Sequence, residues 1–481
     1  MLKLSEIVWG DDSAEKDPNL LEYFVLPTAV KRLGEFNKTL IVGRKGSGKS
    51  ALLKKLRAHF SNRKNTLIID IQPSFHAMKN ILAEKTLVNR FAEEIFFQYA
   101  WQKYLLYKAI VEFGNLSYGK YIKGSYEFAR NIAKKDQLTS LDFVETIADI
   151  FSRLKLKTGK LGDLGLTLER DLKISSDVAQ YIFHIKRIID RGNFDILYFI
   201  DDLDLLWSNT RASNNILLGL LACANMLMSL SKNIHLFIGI REDVYKLLLS
   251  KTQHSDKYRN VELLRWEKEE LKEILEERIK FNFKGKVKHK DNSLFYHVFP
   301  EMIHKVDVLD WMVERTLGRP RELIQLSRIY TEKNESEYPN EQVLLLAERT
   351  YSEWKLQDLC NEYMYQYPGM MDLFNCWRIV AQYNDQSNFL MDIKHFEFLF
   401  LDLMQNTNCE HAWLYQIKNE LDYMKLLLIL YEIGFVGDVV DIGMEKQVIY
   451  SVNTTHRPIF NKIKIHPCFH ESMKVKCITN G

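Results

Sequence analysis

The chain has 481 residues, 46% hydrophobic and 27% charged, with 66 Lys+Arg against 63 Asp+Glu for a net charge of +3. This length exceeds one hydrophobic core and predicts two or three domains; the balanced charge argues against a dedicated polyanion binder while leaving room for a local basic patch. Six cysteines (Cys223, Cys360, Cys376, Cys409, Cys468 and Cys477) lack C-x-x-C spacing, and neither a signal-peptide core nor a run of ~18 apolar residues is evident, so reduced thiols in a cytoplasmic chain away from membranes are expected.

In chain order, Asp11-Asp12-Ser13-Ala14-Glu15 is a helix-start signal, and Leu20 to Val25 is an apolar segment. Tyr23 or Phe24 is placed to pack beside the next strand, or to stack on a purine if a nucleotide binds. Leu40-Ile41-Val42 then reads as a buried strand. It breaks into Gly43-Arg44-Lys45-Gly46-Ser47-Gly48-Lys49-Ser50-Ala51 and a helical pattern. This is G-x-x-x-x-G-K-S in the context of strand, loop and helix. The glycines let backbone N–H groups cradle phosphate, and the helix N-terminus adds its positive end. Lys49 is expected to reach the β- and γ-phosphates of ATP, and Ser50 to hold Mg²⁺.

Thr66 to Ile71 reads as a second parallel strand. From about residue 80 to 190 the pattern is helical, with an aromatic stripe through Phe91, Phe96, Tyr99 and Leu106, a further helix from Leu141 to Phe151, and a Gly-rich loop between Thr158 and Leu172. This block reads as a helical insertion suited to a partner or neighbouring subunit. Phe194 to Ile200 is then a continuous apolar strand ending in Asp201-Asp202-Leu203-Asp204. Ligands sit at the carboxyl ends of buried parallel strands. Asp201 is therefore assigned to Mg²⁺ and Asp202 to the attacking water, with Asp204 as a weaker candidate or a helix cap.

A helix from Asn214 to Ser229 leads into the strand Ile234 to Ile240, tipped by Arg241, a cation able to sense the γ-phosphate. Arg259 precedes the short strand Val261 to Leu264 and could reach a neighbour's nucleotide. Beyond Trp266, Thr316-Leu317-Gly318-Arg319-Pro320-Arg321 ends one helix and starts another. In a lid over the phosphate loop, Arg319 or Arg321 would touch the γ-phosphate. Helices follow at 341–366, 373–383, 396–404 and 423–433. Gln447 to Val452 and Ile459 to Ile465 read as a hairpin, completing a winged-helix-like C-terminal domain. Lys446, Arg457, Lys462 and Lys464 could meet phosphates there. The helix through Leu426 to Tyr431 has a core pattern without base-reading side chains, which favours protein docking over sequence-specific DNA binding. His466 and His470 read as structural.

These motifs, in their order G-R-K-G-S-G-K-S, F-I-D-D-L-D, I-R-E-D, D-K-Y-R and G-R-P-R-E-L-I, resemble the AAA+/STAND class of P-loop ATPases over residues 1–335. Within it the chain is similar to bacterial stand-alone ATPases of the phage-defence-associated type. The resemblance implies an α/β P-loop fold to about residue 265 with the 80–190 insertion, a helical lid over 266–340, and the C-terminal domain over 341–481. It also implies ATP and Mg²⁺ as ligands, a homo-oligomer and a separate effector protein. Two departures stand out. Asp202 takes a position where Glu is usual, which suits slow, switch-like hydrolysis, and Arg241 replaces the usual polar sensor on its strand. A DNA-engaging initiator or loader, and a nucleotide-gated module with little turnover, are the alternative readings.

Overall fold

In a computed structural model, the structure describes residues 3–27, 38–72, 94–116, 123–139, 176–203, 207–252, 260–283, 294–381, 389–408, 410–443, 445–451 and 457–474, with Leu33, Phe36, Phe143, 145–147 and Ile150 besides. The chain divides into two compact units. One comprises Leu26–Arg44 and Gly48–Leu264; the other comprises Met1–Val25, Lys45–Ser47 and Arg265–Gly481.

The first unit is built on a five-stranded parallel sheet. Its elements are β1 (Leu40–Gly43), α1 (Lys49–Phe60), β2 (Thr66–Ile71), α2 (Glu94–Asn115), α3 (Lys123–Thr139), α4 (Ser176–Gly192), β3 (Asp195–Ile200), α5 (Arg211–Leu230), β4 (Ile234–Arg241), α6 (Glu242–Lys251) and β5 (Val261–Leu263). The strand order is β2-β3-β4-β1-β5. All pairs are parallel, with Ile200 beside Ile238 and Gly43 beside Arg241. Helices cover a parallel sheet on both faces, which explains why β1 is buried at all four positions and β3 at five of six. The expected helical insertion is present as α2, α3 and α4. Trp101 on α2 donates its indole N–H to the Ile216 carbonyl of α5 at 3.0 Å, and Tyr198 on β3 donates to the Leu105 carbonyl. The Gly-rich stretch 158–172 lies outside the described residues.

α5 is long and apolar enough to cross a membrane by length and composition. Asn and Ser break its apolar run, so it reads in sequence as an ordinary core helix, and most of its length is buried inside the unit. Thr210 caps it, accepting from the Ser213 N–H while the Ser213 hydroxyl accepts from the Thr210 N–H.

The second unit is mainly helical. It carries α7 (Lys268–Phe283), α8 (Phe295–Val298), the short pair β6 (Met302–Ile303) and β7 (Val306–Asp307), α9 (Val308–Glu314), α10 (Pro320–Lys333), α11 (Glu341–Glu362), α12 (Met370–Ala381), β8 (Leu390–Asp392), α13 (Ile393–Asn406), α14 (Ala412–Glu420), α15 (Tyr423–Glu432), β9 (Val436–Ile442), β10 (Glu445–Ile449), β11 (Lys462–Ile465) and α16 (His470–Met473). The expected C-terminal hairpin is corrected. Both of its strands pair with β9, in the antiparallel order β10-β9-β11-β8. Asp438 on β9, 1% exposed, fixes the approach to β11 by accepting from the Ile459 and Phe460 N–H groups.

Residues 3–25 belong to this second unit. Trp9 is buried, and its indole N–H donates to Thr331 Oγ1 at 2.8 Å. Tyr23 is also buried; its hydroxyl donates to the Asp17 carboxylate, and the Arg278 guanidinium lies 4.6 Å over its ring. Burial and the Asp17 bond together push the Tyr23 pKa up. Tyr23 thus packs within the unit, and its ring has no open face for a purine.

Candidate functional site

The phosphate loop leaves β1 at Gly43 and enters α1 at Lys49. Gly46 and Gly48 have φ of +77° and +94°, the left-handed region where a side chain is strained, which is why glycine stands at both. Between them the carbonyls of the loop tip are all engaged within the second unit. The Lys45 carbonyl accepts from Arg319 Nη1 at 3.0 Å, the Gly46 carbonyl from the Arg321 N–H at 3.3 Å, and the Ser47 carbonyl from Trp266 Nε1 at 2.8 Å. In a planar trans peptide the N–H opposes the C=O. Holding these three carbonyls therefore turns the N–H groups of Gly46, Ser47 and Gly48 to the other side of the loop, as a phosphate cradle requires. The Ser47 hydroxyl is buried and has no hydrogen-bond partner among the described residues, a further polar atom open to a ligand. Lys49 Nζ donates to the Gly43 and Arg44 carbonyls at 3.1 and 3.2 Å, bracing the loop from the helix side.

In the first unit, β4 separates the strand that carries the loop from β3, which carries the acids. Neighbouring strands lie about 4.8 Å apart, so the tips of β1 and β3 stand roughly 10 Å from each other, room for a metal and a phosphate group between them. Asp201 follows β3 directly, and its N–H donates to the Ile71 carbonyl. Its carboxylate lies over β4 at Gly239, where an added Cβ would meet Asp201 Oδ1 at 2.8 Å. Asp202 has φ of +58°, so the chain turns sharply between the two carboxylates. Asp204 and Arg259 lie outside the described residues, and Ser50 and Ala51 occupy the first turn of α1.

Of the arginines expected to meet phosphate, Arg241 and Arg319 are engaged by carboxylates. Arg241, the last residue of β4, is forked on Asp243, with Nη2–Oδ2 at 2.7 Å and Nε–Oδ1 at 3.1 Å. Arg44 faces Glu242 at 3.7 Å. Arg319 is 2% exposed and donates to Glu362 at 2.7 Å, with Glu322 at 3.4 Å. Burial opposes its charge, but Glu362 and Glu322 outweigh burial and keep it protonated. The network continues through the fully buried Lys355, 2.7 Å from Glu322, to Asp358, which accepts from Lys45 Nζ at 3.1 Å and lies 3.8 Å from Arg321. Burial alone would raise the Asp358 pKa; Lys355 and Lys45 hold it below the usual range. Arg319 thus grips the loop backbone. Sequence reasoning missed Trp266, Glu322, Lys355, Asp358 and Glu362, and of these only Trp266, immediately beyond the last strand, carried a positional hint.

Residues 39–256 match the KAP family P-loop domain, and residues 269–360 match the FunZ-associated C-terminal helical domain. The 80.3 kDa protein of transposon gamma-delta from Escherichia coli (strain K12) is 23% identical over 482 residues; the match covers 96% of this chain, which spans 66% of that protein's length. Among solved structures, the ORC2 protein of Aeropyrum pernix with ADPNP and ADP aligns at a TM-score of 0.40 and 12% identity, over 91% of this chain and 94% of that one. CDC6P from Pyrobaculum aerophilum aligns at a TM-score of 0.33 and 13% identity, over 90% of this chain and 94% of that one.

Proposed function

We propose that the chain is a Mg²⁺-dependent regulatory ATPase whose nucleotide state governs its assembly with further copies and its hold on a separate effector protein, in a cytoplasmic defence setting. The observation that carries the ATPase reading is the phosphate loop: three consecutive carbonyls are tied back, turning the N–H groups of Gly46, Ser47 and Gly48 toward an anion. The match of residues 39–256 to the KAP P-loop domain supports the same reading. The cradle binds the phosphates, Lys49 neutralises the β- and γ-oxygens, and Gly43, Arg44, Lys45 and Ala51 shape the loop ends. Ser50 and Asp201 would hold Mg²⁺, which would supply positive charge against the charge developing on the phosphates. Asp202 orients the attacking water and takes its proton. Arg319 and Arg321 act on the loop backbone. Arg241 reaches phosphate only by leaving Asp243, and Arg259 would serve a neighbouring copy.

The test is phosphate release and mass photometry on the same samples, with and without ATP–Mg²⁺. Wild type is expected to turn over and assemble. Lys49→Ala should do neither, and Asp202→Asn should assemble while losing at least ~100-fold in turnover, the lower end of general-base contributions. Turnover unchanged in both variants would overturn the ATPase reading; a constant mass would overturn the oligomer and the role of Arg259. DNA engagement is the second reading. Of its candidate cations, Lys462 is already paired with Asp392 at 3.1 Å, and Leu426, Leu427 and Leu430 of α15 lie in the core, which weighs against a groove reader.

A further inference from the structure

Within the second unit lies a cavity of about 490 Å³ that the nucleotide site does not use. Its walls come from His304 between β6 and β7, α9 and the residue that follows it, α11, Phe389 just before β8, and the C-terminal segment 464–474. The volume falls within the range of about 300–1,000 Å³ typical of small-molecule sites. Four cations line it (Arg315, Arg349, Lys464 and Lys474) against two carboxylates, Glu348 and Glu471. The carboxylates are already taken. Arg315 is paired with Glu348, and Lys474 with Glu471, which also has Arg349 at 3.5 Å. Lys464 forms no ion pair with any described residue, so the cavity keeps unspent positive charge.

The apolar lining is aromatic. Phe389 and His470 stack at 4.1 Å with an interplanar angle of 8°, and the His470 ring is fixed by a 2.8 Å bond to the Ile465 carbonyl. Trp311 also lines the cavity, with the Arg315 guanidinium 4.0 Å from its ring centre. Trp311 is 2% exposed, yet its indole N–H has no acceptor among the described residues. Buried N–H groups are nearly always bonded, so this one marks a place for a ligand acceptor. A cationic rim, the half-buried Phe389 and His470 rings and an unsatisfied donor in one concave volume suit a planar ring that carries a phosphate.

We propose that this cavity binds a free nucleotide of the nucleoside monophosphate class. Arg349 and Lys464 meet the phosphate, the half-buried Phe389 and His470 rings take the base, and the Trp311 N–H donates to a base or ribose oxygen or nitrogen. Arg315 stands three residues before the Gly318 turn that leads into the loop-gripping Arg319, so occupancy would steady that segment.

The experiment is isothermal titration of the full chain in a Lys49→Ala background, which separates this site from the phosphate loop and lets either reading fail alone. The probes are AMP, GMP, CMP, UMP, inorganic phosphate, adenosine and a 20-base-pair DNA duplex. Saturable binding of at least one monophosphate is expected, weakened about tenfold or more by Lys464→Ala and by Trp311→Phe, with thermal melting checked for each variant. Arg349→Ala, at an exposed side chain, is a third variant that cannot fail by misfolding of a core. No saturable monophosphate binding overturns the proposal. So does inorganic phosphate binding as tightly as every nucleotide, preferential binding of the duplex, or nucleotide binding unmoved in all three variants.

Discussion

Asp202 sits in the left-handed region, which most L-residues enter at a cost of about 1–2 kcal/mol but which Asp and Asn tolerate through local hydrogen bonding. Asn is therefore the substitution that tests its carboxylate without testing the turn. Gly239 offers a sharper test of the metal side. A methyl there would stand 2.8 Å from Asp201 Oδ1 and 3.3 Å from Leu53 Cδ1. Gly239→Ala should displace the carboxylate, weaken ATP affinity about tenfold in Mg²⁺ and leave affinity in EDTA unchanged. Overpacking of this kind costs roughly 1–3 kcal/mol, so the fold should survive. Equal losses with and without Mg²⁺ would mean that Asp201 does not serve the metal. The loop and the two acids were legible in the sequence because phosphate chemistry fixes residue type and spacing together. Gly239 was not, because a strand glycine looks the same whether it admits a carboxylate or nothing.

At the level of elements, the grip of α10 and α11 on the loop tip depends on a buried charge network. Arg319 and Glu362 are both nearly inaccessible. Breaking such a pair leaves a charge without its partner and costs about 3–5 kcal/mol. Glu362→Gln should cost about 3 kcal/mol in chemical denaturation, since Glu322 remains 3.4 Å away, and should weaken ATP binding as Arg319 loosens from the Lys45 carbonyl. A variant as stable as wild type would contradict the network. The segment around α16 makes a pH prediction. Burial lowers the His470 pKa from 6.5 to about 4, helped by Lys464, Arg315 and Lys474 and opposed by the Ile465 carbonyl bond; burial likewise holds His466 well below its ordinary value. Above pH 6.5 both folded and unfolded His470 are neutral and its contribution is complete. As pH falls from 6.5 toward 4 the unfolded chain takes up the proton first, so up to about 3 kcal/mol is lost. Melting temperature should drop from pH 7.5 to 5, and His470→Gln should flatten that slope; an unchanged slope would rule His470 out. In the C-terminal part α11, α12, α13 and α15 were legible from their period, but α14, the one-turn α16 and the strand pairing were not. The strands of the expected hairpin both pair with β9, a partner that local turn rules cannot supply.

At the level of the molecule, the buried side chains among the described residues form two hydrophobic clusters. One holds the sheet residues and α2 to α5; the other runs from Leu4, Ile7 and Trp9 through α7 to α16. A 3.6-residue period identifies an apolar face but not the cluster it fills, which is why the sequence left residues 1–25 beside the phosphate-loop strand. Trp9 tests the assignment. It is 2% exposed, bonds Thr331 and lies 6.1 Å from the Phe299 ring. Trp9→Ala removes that packing and one buried bond, a loss of about 3–5 kcal/mol. Because the two clusters share no buried residue, the loss should stay in one of them. Amide hydrogen exchange should quicken across α7, α10 and α11 while β3 and β4 keep their protection. Equal loss across both would mean that the two units unfold as one, and Trp9 would then report on the whole chain.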